Sequence, residues 1–317
     1  MSAERVAAID IGTVTTRLLV ADVADGVVTE VARRSIITQL GEGWTATGVL
    51  SDDAMARVCW AVAGFLAEAQ VLGAERHVAV ATSASRDAAN AQEFLERLAA
   101  VGLRPEIISG EREAYLTFSG ATYSFEGDGL LVVDVGGGST ELVYGSVTRE
   151  TDARVVEIEA ARSFDVGSRR ITEQFLASDP PTAREIDEAA GMVASELAPF
   201  FNGLRERPRE MIAVAGTATS LAAIEQELDP YDPERVHGFR LSGAALLTAF
   251  RHLATLRLEE RKKVVGLEPD RAGVIVGGAL ILQTALALSG LTSTLVSEHD
   301  ILYGMVLDPG APEASVT

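Results

Sequence analysis

Cysteine, positive charge and long apolar runs are all scarce in this 317-residue chain, and each scarcity excludes a class of protein. Cys59 is the single cysteine, so neither an internal disulfide nor a thiolate zinc site can form. Low-complexity tracts are lacking and 47% of the residues are hydrophobic, which excludes disorder and supplies a large core. The apolar runs stay well under the ~18 residues a membrane helix needs. The opening MSAERVAAIDIG enters a strand pattern almost at once, with no basic segment before it. A soluble, cytoplasmic protein without a membrane partner is expected. Arginine and lysine number 27 against 46 acidic residues, for a formal net charge of −19. Non-specific nucleic-acid binding needs a basic surface and is therefore excluded. An anionic ligand is not, provided backbone N–H groups and a few arginines hold it locally. His77, His237, His252 and His299 show no metal-ligand spacing, and no Ser-His-Asp order is evident.

What is present reads as an α/β chain long enough for roughly two domains. Short apolar runs within 5–35 predict three strands. Ser51 with Asp52 and Asp53 then opens an amphipathic helix that Gly73 stops. Cys59 lies on its apolar stripe and reads as an inert thiol. A strand at 77–81, a helix over 90–100, a strand at 106–108 and a helix from Ser109 follow. The second half opens with strands at 130–134, 140–145 and 153–159. Thr182 and Glu185 form a capping box before a long helix. A strand at 211–215 runs into Gly216 and another helix, and a late strand falls near 295–296. Such alternation predicts mostly parallel sheets.

The most informative feature is a repeat. VAAIDIGTVTTRLLVADV and LLVVDVGGGSTELVYGSV share one plan, in which a strand ends on Asp and an apolar residue, then Gly, small polar residues and a second strand. Asp10 corresponds to Asp134 and Gly12 to Gly136. Two copies imply two similar domains facing one another, each supplying one cradle.

Phosphoryl chemistry needs oriented donors, a divalent cation and a group that positions the attacking oxygen. The loops 11–15 and 135–140 offer close-approaching N–H groups at Gly12, Gly136, Gly137 and Gly138, with hydroxyls at Thr13, Thr15, Ser139 and Thr140. AVAGTATSLAAI supplies a third cradle, with Gly216 and Thr217 at a helix N-terminus. Asp10 and Asp134 end their strands and suit Mg²⁺ held partly through water. Arg17, Arg86 and Arg169 are the arginines placed to meet phosphate. Two carboxylates could position water: Glu141, directly after the second cradle, and Glu113, one turn into a helix. The competing structural roles are turn stabilisation for the aspartates and dipole complementarity for Glu113.

Together these residues resemble the exopolyphosphatase / guanosine pentaphosphate phosphatase family of the actin–sugar kinase–Hsp70 superfamily. The segments that carry it are DIGTVTTRLLV, ATSASRDAANAQEFL, ISGEREAYLTFSGA, VVDVGGGSTELVYG, AGTATSLAA, YDPERVHG and PDRAGVIVGGALIL, in the family's order. The resemblance implies two actin-like (ribonuclease H-like) domains, over 1–126 and 127–298, with the active site in the cleft between them. A helix at about 299–308 is expected to pack back on the first. It implies Mg²⁺-dependent hydrolysis of the terminal phosphoanhydride of inorganic polyphosphate, or of pppGpp to ppGpp, with Mn²⁺ or an added monovalent cation as variants. By motif, Glu113 and Glu141 are the catalytic glutamates and Asp134 the metal-site aspartate. Ser83, Arg86 and the two glycine loops are phosphate contacts. A homodimer is compatible with this reading. Val14 departs from the family by replacing a side-chain donor, and Leu302 and Tyr303 replace an arginine and a glutamate. The competing readings are a sugar or acetate kinase of the same superfamily and a (p)ppGpp sensor without efficient hydrolysis.

Overall fold

The computed structural model describes residues 3–150, 153–308, 310 and 315–316. Met1 and Ser2, the start of the expected approach to the first strand, lie outside them. The chain forms two compact units, Met1–Gly120 with Ile301–Thr317, and Ala121–Asp300.

In unit 1, β1 (Glu4–Ile11), β2 (Thr15–Ala24) and β3 (Val27–Ile37) form an antiparallel meander. A short helix α1 (Trp44–Thr47) leads to α2 (Asp52–Val71). Then come β4 (Arg76–Ala81), α3 (Ser83–Asp87), α4 (Ala91–Ala100), β5 (Leu103–Arg104), β6 (Glu106–Ile107) and α5 (Gly110–Ala121). The sheet order is β3-β2-β1-β4-β6, with β4 and β6 added in parallel. Its central β1 is buried from Val6 to Ile11, as a strand covered on both faces must be. Ser51 caps α2 by accepting from the Ala54 N–H, and Asp52 and Asp53 complement the helix dipole. Cys59 is half-buried, and that burial pushes its thiol pKa up, in keeping with an inert thiol.

Unit 2 opens with a second meander, β7 (Gly127–Val135), β8 (Thr140–Glu150) and β9 (Ala153–Phe164). These strands run longer than their apolar cores suggested, because antiparallel pairing continues through polar residues to Glu150. Helices α6 (Ser168–Phe175) and α7 (Ala183–Gly203) precede β10 (Glu210–Val214) and α8 (Ala215–Glu225). After α9 (Pro233–Val236), β11 (Arg240–Ser242), α10 (Gly243–Thr255) and α11 (Leu258–Arg261), the buried α12 (Ile275–Ser289) leads to β12 (Ser293–Val296). Then α13 (Ile301–Leu307) returns to pack on β1 and β2 of unit 1, and β13 (Ser315–Val316) pairs with β5.

The unit 2 order is β11-β12-β10-β7-β8-β9. Read outward from each meander, β3-β2-β1-β4-β6 and β9-β8-β7-β10-β12 are one strand order occurring twice. Each has three antiparallel strands followed by two parallel ones, the arrangement a duplicated actin-like fold requires. The first division of the chain falls after Gly120, within the last turn of α5, and the second after Asp300.

The capping box predicted at Thr182 is formed in full. The N–H of Thr182 contributes most to holding Glu185 down, then its hydroxyl, with the Ser178 N–H adding to them. The carboxyl titrates at about 2 instead of the ordinary 4.5. A depressed carboxylate stabilises the fold above its unfolded pKa and loses that effect as pH falls through the folded one. Acid unfolding between about pH 4.5 and 2 should therefore become shallower in Glu185→Gln than in the parent. Circular dichroism across that range checks it.

Candidate active site

Each meander turns at its first hairpin in the same way. In unit 1 the Gly12 N–H donates to the Thr15 carbonyl at 3.0 Å, and in unit 2 Gly136 donates to Ser139 at 3.0 Å. A Cβ at either glycine would approach that same carbonyl oxygen, at 3.0 and 3.1 Å. The repeat seen in the sequence is thus a repeat of backbone geometry.

The residues that flank the two turns differ in charge. Across the first hairpin Asp10 pairs in register with Arg17, and across the second Asp134 pairs with Glu141. Directly opposed residues project to the same face of a sheet, about 5 Å apart at Cβ. Arg17 therefore closes on Asp10, with Nε and a terminal nitrogen donating to Oδ2 at 3.0 and 2.5 Å. The Arg17 guanidinium, expected at phosphate from the sequence, compensates the buried Asp10 charge, because the register puts them face to face.

In unit 2 the same register sets two carboxylates side by side. Asp134 is 7% exposed and Glu141 1%. Ser163 on β9 donates to Glu141 Oε1 at 2.7 Å and fixes its orientation. Two buried like charges favour a cation between or beside them. Among the described residues no three His, Cys, Asp or Glu side chains converge as a metal cage. Two carboxylates completed by water and phosphate oxygens is the donor set that suits Mg²⁺.

The glycine loop of unit 2 is held from behind. The N–H groups of Ser168 and Arg169, opening α6, donate to the carbonyls of Gly136 and Gly137 at 2.8 and 3.0 Å. Arg170 Nε donates to the Gly138 carbonyl at 3.0 Å. Binding those carbonyls leaves the peptide N–H edges to face the other way, as an anion nest needs. Gly167 makes this approach sterically feasible, since a Cβ there would lie 2.3 Å from the Gly137 carbonyl oxygen. The fully buried Thr140 hydroxyl donates to the Val166 carbonyl and so positions the loop. Arg169, expected on phosphate, donates to Glu173 one turn along at 2.9 Å. Ser163 was missed in the sequence. Nothing local marks it, since it acts through Glu141, 22 positions away.

The third cradle begins at Ala215, which takes a left-handed φ of 63° at the junction of β10 and α8. Such a conformation in a non-glycine residue costs energy and is held by its surroundings. Gly216 lies beneath Arg271, whose Nη1 stands 1.6 Å from where a Cβ would sit. Thr217 is buried and donates to the Val135 carbonyl at 3.5 Å, tying α8 to the end of β7. Arg271 was not singled out from sequence either, because its partner lies 55 residues earlier.

In unit 1 the loop 12–15 is anchored on residues 38–41 through Val14 and Thr13 carbonyls. Val14 is buried, so this family departure fills the core beside the loop. Thr13 Oγ1 accepts from the Ala84 N–H at 3.3 Å, joining the loop to α3. That short helix carries Ser83, whose buried hydroxyl has no partner among the described residues, and Arg86. Arg86 reaches the Ile108 carbonyl at 3.0 Å and Glu113 Oε2 at 3.4 Å. A predicted phosphate ligand and a predicted catalytic carboxylate are thus brought together. Ser109 caps α5 and holds its first turn, and with it Glu113, at 8% exposure. Tyr303 and Leu302 lie inside unit 1, with Tyr303 bonded to Glu30 at 3.4 Å and stacked beneath Arg33.

Known proteins are similar to this chain in sequence and fold. The profile of the Ppx/GppA phosphatase family matches residues 19–308. Exopolyphosphatase 2 of Mycobacterium tuberculosis is 38% identical over 324 residues, covering 97% of this chain and 99% of that protein. The bifunctional 3-dehydroquinate synthase/phosphatase of Fusobacterium nucleatum is 29% identical, covering 95% of this chain and 46% of that one. A crystal structure of an exopolyphosphatase-like protein superimposes with a TM-score of 0.90 at 34% identity, covering 97% of this chain and 98% of that one. The Aquifex aeolicus PPX-GPPA enzyme gives 0.79 at 33% identity, with 96% and 99% covered. With the duplicated fold and two glycine cradles in place, the chain belongs to the Ppx/GppA phosphatase family.

Proposed function

We propose that the chain is an exopolyphosphatase, which releases the terminal phosphate of inorganic polyphosphate in the cytoplasm, with pppGpp as a second substrate. The observation that carries this reading is the buried Asp134–Glu141 pair beside the glycine loop, where the first hairpin has Asp10 and Arg17 instead. A structural hairpin has no need of two adjacent buried carboxylates. A cation-dependent phosphate site does.

In this reading the N–H groups of Gly137, Gly138 and Ser139 bind non-bridging phosphate oxygens while Gly136 closes the turn, and Gly12, Thr13 and Thr15 form the corresponding loop of unit 1. Ser83 and Arg86 add side-chain donors, and Gly216 and Thr217 add the N-terminus of α8. Asp134 would hold the divalent cation, and Asp10 is the corresponding candidate ligand of unit 1. The cation, when bound, neutralises charge on the transferred phosphoryl group. Glu113 accepts the proton of the attacking water, and Arg86 steadies its carboxylate. Glu141, fixed by Ser163, orients the attacking water from the strand opposite Asp134.

Phosphate release by purified protein with Mg²⁺ tests the proposal, using tripolyphosphate, long-chain polyphosphate, pppGpp, and ATP with glucose or acetate. Release from polyphosphate or pppGpp is expected. Phosphorylation of glucose or acetate would sink the reading in favour of a kinase, and (p)ppGpp binding without release would favour a sensor. Asp134→Asn is expected to raise the Mg²⁺ concentration for half-maximal rate at least tenfold, the scale of one lost carboxylate ligand. An unchanged Mg²⁺ titration would assign Asp134 to the turn alone.

A further inference from the structure

The two phosphate loops are backed by different material. Behind residues 136–138 stands α6, a helix kept in shape by its own hydrogen bonds. Behind residues 12–15 stands only the irregular segment 38–43, between β3 and α1. It grips the loop by backbone N–H groups. Thr38 and Gln39 donate to the Val14 carbonyl at 3.0 and 2.9 Å, and Gly41 donates to the Thr13 carbonyl at 2.8 Å.

Such a segment does not hold these groups in direction unaided. Gln39 takes a left-handed φ of 53°, which a non-glycine residue keeps only where its surroundings hold it. Leu40 and Trp44 anchor the segment in the core of unit 1. Apolar burial is non-directional, however, and does not decide where a peptide points.

Arg57 on α2 does decide it. Its Nε donates to the Thr38 carbonyl at 2.8 Å, and Nη2 donates to the Gln39 carbonyl at 3.2 Å and to Glu42 at 2.9 Å. One rigid guanidinium fork thus holds three points of the segment. The Thr38 carbonyl and the Gln39 N–H belong to one planar trans peptide and point opposite ways. Arg57 holds the carbonyl end, and the Val14 carbonyl receives the N–H end. By the same geometry the Val14 carbonyl and the Thr15 N–H point opposite ways, so fixing that carbonyl from behind aims the Thr15 N–H at the hairpin turn. In unit 2 an arginine does this directly, since Arg170 donates to the Gly138 carbonyl itself.

We propose that Arg57 is the positioning residue of the unit 1 phosphate loop. Through peptides 38–39 and 14–15 it aims the Thr15 N–H and, by polarising the chain of hydrogen bonds, strengthens it as a donor to a phosphate oxygen. This rests on the reading of loop 12–15 as a phosphate cradle.

The test reads binding apart from turnover. Trp44 closes the segment, and its N–H donates to the Gly41 carbonyl at 3.2 Å. With exposed Trp60 replaced by phenylalanine, Trp44 is the one tryptophan left. Its emission is followed as imidodiphosphate, whose P–N–P bridge resists hydrolysis, is added with Mg²⁺. Arg57→Ala is expected to raise the dissociation constant at least ~10-fold, and to lower kcat/KM for tripolyphosphate by a similar factor, within the reach of a small misplacement behind a site. Arg57→Lys, with one nitrogen for two carbonyls, should fall between. Arg34→Ala removes an equal charge beside α2, where it pairs with Glu68 at 2.6 Å, and should match the parent. An Arg57→Ala protein that melts lower yet binds and turns over as the parent does assigns the guanidinium to stability alone and overturns the proposal. A loss equalled by Arg34→Ala also overturns it, in favour of general electrostatics. Imidodiphosphate binding that depends on Arg57, in a protein that releases no phosphate from any substrate, sinks the exopolyphosphatase reading and leaves the role of Arg57 standing.

Discussion

Glu113→Gln and Glu141→Gln are each expected to lower phosphate release about 100-fold or more, yet to move stability in opposite directions. A lost general base or water-orienting carboxylate costs 10²–10⁴ in rate, and 100-fold corresponds to about 2.7 kcal/mol of transition-state stabilisation. The stability effects follow from what each carboxylate faces. Glu113 lies 3.4 Å from the Arg86 guanidinium, so neutralising it removes an attraction and the melting temperature should fall. Glu141 sits opposite Asp134 with both buried, so neutralising it in cation-free protein relieves a repulsion and the melting temperature should rise. Glutamine keeps the oxygen that accepts from Ser163, so the hairpin itself is undisturbed. Steady-state kinetics with thermal melts in excess chelator check both parts. Full activity in either variant would remove that glutamate from the mechanism. A lowered melting temperature in Glu141→Gln would mean that the pair is not a strained cation site.

Gly304→Ala is expected to destabilise the protein and slow it as well. Gly304 lies in α13 where it crosses α5, and a Cβ there would be 1.9 Å from the Leu116 carbonyl oxygen and 2.7 Å from its carbon. Both atoms are backbone, so no side chain can rotate away. Alanine normally gains about 0.5–1 kcal/mol over glycine in a helix. Overpacking of this kind costs typically 1–3 kcal/mol and wins. The helices must separate, and α5 carries Glu113 in its first turn, so turnover should fall with stability. Gly191 in α7 is the control, because a Cβ there meets nothing within 4 Å. Gly191→Ala should raise stability by about 0.5–1 kcal/mol with no change in turnover. Urea unfolding with parallel kinetics distinguishes them, and equal behaviour of the two variants would show that the α13–α5 crossing is looser than it looks.

The elements most legible in the sequence are those whose physics is local. Ser51 before two aspartates, and Thr182 three residues before Glu185, satisfy orphan N–H groups with side chains a few positions away. Both caps form as read. The three strands of each meander and their glycine turns follow from short apolar runs and the freedom of glycine. The duplication is legible for the same reason, since each copy repeats a local pattern.

Tertiary structure decided what depends on register and crossing. The sequence places Arg17 seven residues after Asp10, and Glu141 seven after Asp134. Only antiparallel pairing shows that both intervals bring side chains face to face, making one a salt bridge and the other a carboxylate pair. That register makes Arg17 the partner of Asp10. Likewise, only the fold brings the Thr140 hydroxyl to the Val166 carbonyl. The roles of Ser163, Arg170, Arg271 and Gly304 depend on contacts spanning between 22 and 188 residues of chain. Composition and periodicity carry no record of such separations. The amino-acid sequence by itself determined the elements, the repeat and the residue types available for phosphate chemistry. Folding decided which of those groups oppose one another, because hydrogen-bond register and helix crossings set side-chain neighbours that sequence distance does not encode.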